Sequence, residues 1–347
     1  MRKVTLADVS AAAGVGVATV SRALGDHPDV SQVTRDRVRT IARELGYRPS
    51  VAARALRSGG YQAISVVVPD AAWGWWEPVV RAAFAAAAEE GYQLLVHPVA
   101  GAAGGAASVV RSLANVPTEG VVVISVPDQD GVRRACDDAA LSAVAIDDTS
   151  RTVRFPTVSV ANRHGAREVV RHLIAQGRRR IAMLVTDFNS ADVANWGDGL
   201  FVDERLAGYR DALEEAGVAF DEALVIPCAS PFDETAKEWP ELRRALADGL
   251  GVDAVFCVAD LMAVAAIRSV RAEGLRVPED VSIAGFDDER AALLTDPPLT
   301  TVRQPYEQMG RLAVELLLRS IRGDELDESR IEIEPTLVVR ESTAVAR

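Results

Sequence analysis

Four side chains near the N-terminus, Val17, Ala18, Ser21 and Arg22, fall on one face of a short predicted helix, opposite Val20, Ala23 and Leu24. One guanidinium among small, nearly uncharged neighbours suits the reading of base edges in a DNA major groove. Arginine hydrogen-bonds guanine there, and small apolar groups touch thymine methyls. A second constellation comes later in the chain. Asp70, Asp147 and Asp287 each stand at or just past the end of an apolar run, and Trp73, Trp75 and Trp76 follow the first of them. Carboxylates accept hydrogen bonds from hydroxyl groups, and an indole covers the apolar face of a sugar or base. The tryptophans have a second reading, as core packing at a helix start.

The elements that must hold the first constellation are legible. Thr5 can cap a first helix, with Asp8 three residues on and Leu6, Val9 and Ala13 as its apolar stripe. Gly14-Val15-Gly16 supplies a turn. A third helix spans 30–46, with Ser31 as cap, Val38, Ile41 and Leu45 at helical spacing, and Gly46 as stop. Residues 5–24 alone also fit an ordinary helical hairpin; the third helix turns them into a minimal DNA-binding unit. In residues 47–60, Val51, Ala52, Ala55 and Leu56 share one face, and Arg54 and Arg57 are basic. So short a helix is unstable alone. Paired with its own copy it can insert an apolar wedge into a minor groove.

TLADVSAAAGVGVATVSRAL followed by VSQVTRDRVRTIARELGYRPSVAARALRSG resembles the headpiece and hinge helix of the LacI/GalR family of bacterial transcription regulators. The resemblance extends almost to the C-terminus. Gly16 departs from it, where the family usually has a serine cap; glycine costs only a few tenths of a kcal/mol there. The expected DNA-facing set is Thr5, Val17, Ala18, Thr19, Ser21, Arg22, Ala53, Arg54 and Leu56. The resemblance implies that Leu56 is the wedge. Arg35, Arg37 and Arg39 are expected on phosphates or in solvent.

Composition sets the bounds. The chain has 347 residues, 49% hydrophobic, enough for two or three domains with a large core. Its net charge is −12, but residues 1–60 carry ten Lys/Arg against five Asp/Glu, so a basic head precedes an acidic body. No apolar run approaches the length of a membrane span and the N-terminus has no signal-peptide pattern, which predicts a cytoplasmic protein with no membrane partner. Cys136, Cys228 and Cys257 sit far apart inside apolar segments, as reduced core thiols do.

From residue 61 onward strands and helices alternate. The expected strands are 64–69, 92–96, 120–124, 143–147, 157–160, 181–185, 224–226, 254–258 and 281–285, with 300–304 as an extended crossing and further strands in 331–342. The main helices are 77–90, 108–114, 130–140, 163–176, 203–216, 240–248, 260–273 and 306–321. Short, continuously apolar strands between helices predict parallel sheets covered on both faces. Two such runs suggest two lobes with a cleft. The fold class is thus an all-α helix-turn-helix headpiece (1–47) with a hinge helix and linker (48–60), followed by an α/β two-lobed body (61–347). The resemblance implies the periplasmic-binding-protein-like arrangement for the body. The expected first lobe is about 61–160 plus 291–322; the second is about 161–290 plus 323–343.

Ligands of parallel sheets sit at the carboxyl ends of strands. The expected effector set is Asp70, Trp73, Trp75, Trp76, Asp147, Trp196, Arg205 and Asp287. The resemblance implies ligand contact for the tryptophan loop, for Asp287 of the GFDD motif, more weakly for Asp147, and for Arg205 of DERLAGY. Asp288 is expected to cap the next helix. Ala161 and Ala259 stand where relatives carry polar residues, so the pocket is expected to be more apolar than usual.

These readings converge on a homodimeric, ligand-responsive repressor that binds pseudo-palindromic double-stranded DNA. A sugar or sugar derivative is the first choice of effector; a nucleoside or purine is the second. A solute-binding protein without a DNA role fits the body but not the headpiece. An enzyme is disfavoured: the sequence has no Walker lysine, nucleophile elbow, HExxH or Cys/His cluster, and His27, His97, His164 and His172 have no evident partners. No cofactor or metal is expected.

Overall fold

The computed structural model describes residues 4–47, 60–70, 73–99, 105–126, 128–147, 152–186, 200–228, 238–327 and 329–346, with the backbone alone for 73–75. The chain divides into two compact units, Met1–Tyr61 and Gln62–Arg347.

The first unit holds α1 (Leu6–Ala13), α2 (Val17–Leu24) and α3 (Gln32–Glu44). A reciprocal capping box opens α1. The Asp8 N–H donates to the Thr5 hydroxyl at 3.4 Å, and the Thr5 N–H donates to the Asp8 carboxylate at 2.8 Å. Gly14 ends α1 at φ +63, a left-handed conformation that costs any residue with a Cβ. Val9, Ala13, Val20, Ala23, Val30, Val38 and Ala42 form the core, with Leu6, Leu24 and Ile41 around them. Leu45, expected in that core, is 39% exposed: it lies past the last turn of α3, and Ala42 takes the inward position. Arg35 and Arg39 also depart from expectation. Arg35 donates to the carbonyls of His27 and Val30 at 2.9 and 3.1 Å, and Arg39 pairs with Asp26, so both staple the α2–α3 connection.

The second unit begins with β1 (Ala63–Pro69), α4 (Trp73–Glu89), β2 (Gln93–Val99), α5 (Gly105–Ser112), β3 (Gly120–Ile124), α6 (Gln129–Asp138), β4 (Ser142–Ile146) and β5 (Thr157–Val160). A second run follows: α7 (Asn162–Ala175), β6 (Ile181–Thr186), α8 (Leu200–Glu215), β7 (Val225–Cys228), α9 (Pro240–Ala247), β8 (Ala254–Cys257), α10 (Asp260–Ala272), β9 (Ser282–Ala284) and α11 (Arg290–Leu294). The chain then returns through β10 (Thr301–Arg303), α12 (Tyr306–Ile321), β11 (Arg330–Ile333) and β12 (Thr336–Val338).

The first sheet has the order β11-β5-β4-β3-β1-β2 and the second β7-β6-β8-β9, and every pairing in both is parallel. Helices cover both faces of the first sheet, so β3 (GVVVI) is buried at every position. Trp76, Val79 and Leu317 lie in the core on one side; Val110, Val132 and Phe155 lie on the other. Each such fully buried aliphatic side chain contributes about 1.5–3 kcal/mol of transfer free energy. Two helix pairs touch through glycine. A Cβ on Gly310 of α12 would lie 2.4 Å from the Val79 carbonyl oxygen of α4, and one on Gly208 of α8 would lie 2.1 Å from the Arg163 carbonyl oxygen of α7.

The return segments correct the expected division into lobes. β11 pairs with β5, so residues 330–333 belong to the first sheet rather than the second lobe. Ala292, Leu299 and Val302 are buried in the second-lobe core, and Thr300 and Arg303 bridge Ala284 and Asp287, so 291–303 belong to the second lobe rather than the first. β12 pairs antiparallel with β10 and follows it there. The reason is register: a short polar strand can join either sheet edge, and its local pattern does not say which.

The cysteines are unpaired and buried. Burial pushes the Cys136 and Cys228 thiols up to about 12 and Cys257 well above its ordinary value. Among the described residues no helix is long and apolar enough to cross a membrane.

Candidate functional site

In the first unit α2 presents Val17, Ala18 and Arg22 outward, with Val17 46% exposed. Thr19 and Ser21 are half-buried at its edges, and Val20 and Ala23 face the core. Among the described residues Arg22 has no side-chain hydrogen-bond or ion-pair partner, and it is exposed. Thr5 is exposed, but its hydroxyl is engaged with Asp8 in the cap. Ala53, Arg54 and Leu56 lie outside the described residues, as do Trp196 and the side chains of Trp73 and Trp75.

The polar centre of the second unit lies between its lobes. Arg205, in the first turns of α8, is almost wholly buried. Its Nε donates to Asn162 Oδ1 at 2.8 Å, its Nη1 donates to the Val258 carbonyl, and its Nη2 lies 3.8 Å from Asp287 Oδ1. The Phe286 and Phe201 rings sit 3.6 and 5.1 Å from the guanidinium carbon. Burial draws the Arg205 pKa down from its ordinary value, opposed by the negative charge of Asp287.

Asp287 follows β9, with its N–H bonded to the Val302 carbonyl at 2.8 Å and its Oδ1 accepting from the Gln304 amide at 2.6 Å. Burial raises its pKa to about 6, against the lowering effects of Arg205 and Gln304. Asp147 comes from the first lobe, one residue past β4, and accepts from the Ser125 hydroxyl at 3.1 Å; its negative charge reaches both Asp287 and Arg205. Ser125, Asp147 and Asp287 all adopt positive φ, at 42°, 52° and 117°. Such backbone cost concentrates where side chains are aimed at a ligand.

Tyr306, at the start of α12, brings the first lobe to the same place. Its buried hydroxyl and the Gln304 Oε1 have no hydrogen-bond partner among the described atoms. Burial, then Asp287, Glu289 and Asp260, drive the Tyr306 pKa well up. Asp260 is buried beneath Asp287, accepting from the Thr301 hydroxyl at 2.6 Å and the Glu289 N–H at 2.8 Å. A Cβ at position 285 would lie 2.2 Å from Asp260 Oδ1, which is why glycine precedes Phe286. Burial raises Asp260 well above its ordinary value and Glu289 to about 8. Glu204, raised by burial, lies 3.8 Å from Arg330 of β11 and joins the lobes at the edge of the site. On the outer side of α8 a groove of about 510 Å³ carries Arg163, His164, Asp203 and Glu332, and its Arg163 is already held bidentately by Asp211.

Of the expected effector residues, the structure brings Asp147, Arg205 and Asp287 together. Trp76 goes to the other reading: it is fully buried in the first-lobe core and offers no face to a ligand. Asp70 is exposed at the end of β1. Asp288 does not cap α11. It pairs with Arg303 at 2.6 Å and Arg340 at 2.5 Å, locking β10 and the segment after β12 to the second lobe. Ser125, Asp260, Glu289, Gln304 and Tyr306 were missed. Ser125 stands one residue past strand β3, so the rule that selected Asp147 could have found it; Gln304 follows the crossing strand β10 and Tyr306 opens α12, where that rule was not applied. Of the histidines for which the sequence shows no evident partner, His27 accepts from the Asp29 N–H at 3.4 Å, His97 meets Ser65 at 3.1 Å and His172 meets Thr343 at 2.9 Å. Among the described residues no group of three or more His, Cys, Asp or Glu is placed to hold a metal ion.

Residues 5–50 match the family model described as bacterial regulatory proteins, lacI family, and residues 170–343 match the periplasmic binding protein-like domain. The HTH-type transcriptional regulator CelR of Thermobifida fusca is 35% identical over 356 residues, covering 98% of this chain and 98% of that protein. Among solved structures, a complex of the transcriptional regulator CelR with cellobiose aligns over 98% of this chain and 100% of its own, at 33% identity and TM-score 0.69. The lac repressor dimer bound to operator and the anti-inducer ONPF aligns over 99% and 100%, at 27% identity and TM-score 0.80.

Proposed function

The chain belongs to the lacI family of bacterial regulatory proteins and is a DNA-binding transcriptional regulator; from that premise we propose that it is a dimeric repressor controlled by a sugar bound between its lobes. Two headpieces read the halves of a pseudo-palindromic operator. Arg22 hydrogen-bonds guanine, and Val17 and Ala18 touch thymine methyls. The two 48–60 segments order together, with Leu56 as the minor-groove wedge. The protein acts in the cytoplasm, where its DNA is, and by binding rather than turnover.

The observation that carries this reading is the meeting of buried Arg205 and Asp287 from one lobe with Asp147 and Tyr306 from the other. A compound that bridges these groups favours one lobe arrangement over another, and it shifts operator affinity by its difference in affinity for the two. The likeness to the cellobiose complex supports a sugar as that compound.

The test is selection of preferred duplexes from a random pool by the full-length protein, followed by gel-shift titration at fixed salt with and without cellobiose or adenosine. Palindromic sequences should emerge, with affinity that responds to the sugar. A monomer that prefers no palindrome over random DNA, with or without these compounds, overturns the reading.

A further inference from the structure

The described links between the lobes are very short. Ala161 alone separates β5 from α7, Gln304-Pro305 lies between β10 and α12, and Glu334-Pro335 lies between β11 and β12. On one side of the last link, Ile333 is paired with Val160 in the first sheet; on the other, Thr336 is paired with Arg303 in the second lobe. So short a link, with φ fixed at its proline, passes a change in its own position on to the angle between the lobes.

Pro335 is buried over Gly165, in the first turn of α7. A Cβ at position 165 would lie 2.8 Å from Pro335 Cγ and 3.0 Å from Cε2 and Cζ of Phe286, whereas ordinary contact begins at 3.4 Å. Gly165 thus fills a slot with no spare room between the link and the Phe286 ring. That ring is fully buried and its centroid lies 3.6 Å from the guanidinium carbon of Arg205. The backbone closes at the same place. The Gly165 N–H donates to the Ala161 carbonyl at 3.0 Å, and the Ala161 N–H donates to the Ile333 carbonyl at 2.9 Å.

We propose that the seat of Pro335 on Gly165 is a steric stop that sets the resting angle between the lobes. Close-packed groups transmit displacement because no void absorbs it. A methyl group added at position 165 must move one neighbour. Phe286 belongs to the second-lobe core, whereas Pro335 is nearer and sits in a two-residue link, so the link yields. Phe286 stands between this stop and Arg205. On the effector reading of the cleft, on which this regulatory role rests, a ligand that draws on Arg205 acts on the same angle.

The angle is measured without a ligand. Spin labels on Asp138→Cys, at the end of α6, and Ala272→Cys, at the end of α10, report the distance between lobes by double electron–electron resonance. Both positions are exposed, the native cysteines are buried, and excess unlabelled full-length chain leaves one labelled copy per dimer. Gly165→Ala should shift the mean distance by about 2 Å or more, because a small displacement at a hinge is amplified at the far ends of the lobes. Adding Pro335→Ala removes the clashing Cγ and should return the mean to the wild-type value. An unmoved mean in Gly165→Ala, or a shift that Pro335→Ala does not reverse, overturns the proposal. If Gly165→Ala alone does not fold, the double variant decides: folded with the wild-type mean it supports the stop, and any other result refutes it. Failure of every candidate effector to bind would count against the effector reading and leave this measurement untouched.

Discussion

The side-chain amide of Gln304 donates to Asp287 Oδ1 at 2.6 Å, so the residue that leaves the second lobe grips the carboxyl group at its polar centre. Two residues further on, Tyr306 begins the helix that belongs to the first lobe. If the proposed effector donates a hydroxyl to Asp287, it competes with Gln304 or adds to it, and either would alter the crossing segment. On the proposed effector reading, this hydrogen bond would join binding at the cleft to the segment that crosses between the lobes.

Gln304→Leu removes that bond and, among the described side chains, leaves Arg205 to face the Asp287 carboxyl group. We expect effector affinity to fall about tenfold, and operator affinity to become less responsive to effector, at little cost in helix content. Calorimetry and gel shifts on the same preparation check both. Full responsiveness in the variant would show that coupling runs elsewhere.

Arg22→Ala should cost about 1–3 kcal/mol at a single base position and relax specificity there. Competition gel shifts against operators altered one position at a time give the measurement. A loss spread evenly over all sequences would mark Arg22 as a phosphate contact instead.

Gly208→Ala places a Cβ 2.1 Å from the Arg163 carbonyl oxygen, so α7 and α8 must separate. Overpacking of this kind costs about 1–3 kcal/mol or more. Urea denaturation should show a lower midpoint at unchanged slope. Because α7 and α8 also carry Asn162 and Arg205, effector affinity should fall with stability.

Stability should decline as pH rises from 6.5 to 8. The groups facing Asp287 and Glu289 are Arg205, Asp147, Asp260, Gln304 and Tyr306. Burial raises Asp287 to about 6 and Glu289 to about 8, whereas unfolded carboxyl groups titrate near 4. The native state therefore binds more protons than the unfolded state across this window, and its stability is lost as pH passes through the folded values. Burial lowers the pKa of His97 and His172, so neither gains a proton above pH 6.5 to offset the trend. Thermal melts across the window give the slope; a rising Tm would contradict it.

Much of this protein was determined by local sequence. The three headpiece helices and their outward Val17, Ala18 and Arg22 follow from caps, turns and periodicity, which act within a few residues. The apolar runs of β1, β3, β6 and β8 followed by amphipathic helices specify parallel sheets, because such runs are stable only when both faces are covered. The tertiary structure alone decided which sheet β11 and β10 join, that Trp76 serves the core, and that Asp288 binds two arginines instead of a helix end. It also set Ser125 against Asp147 and gathered Asp260, Gln304 and Tyr306 around Asp287, from positions up to 181 residues apart in the chain. Their pairing depends on how the chain passes between lobes, and neither propensity nor periodicity encodes a contact made across a hinge.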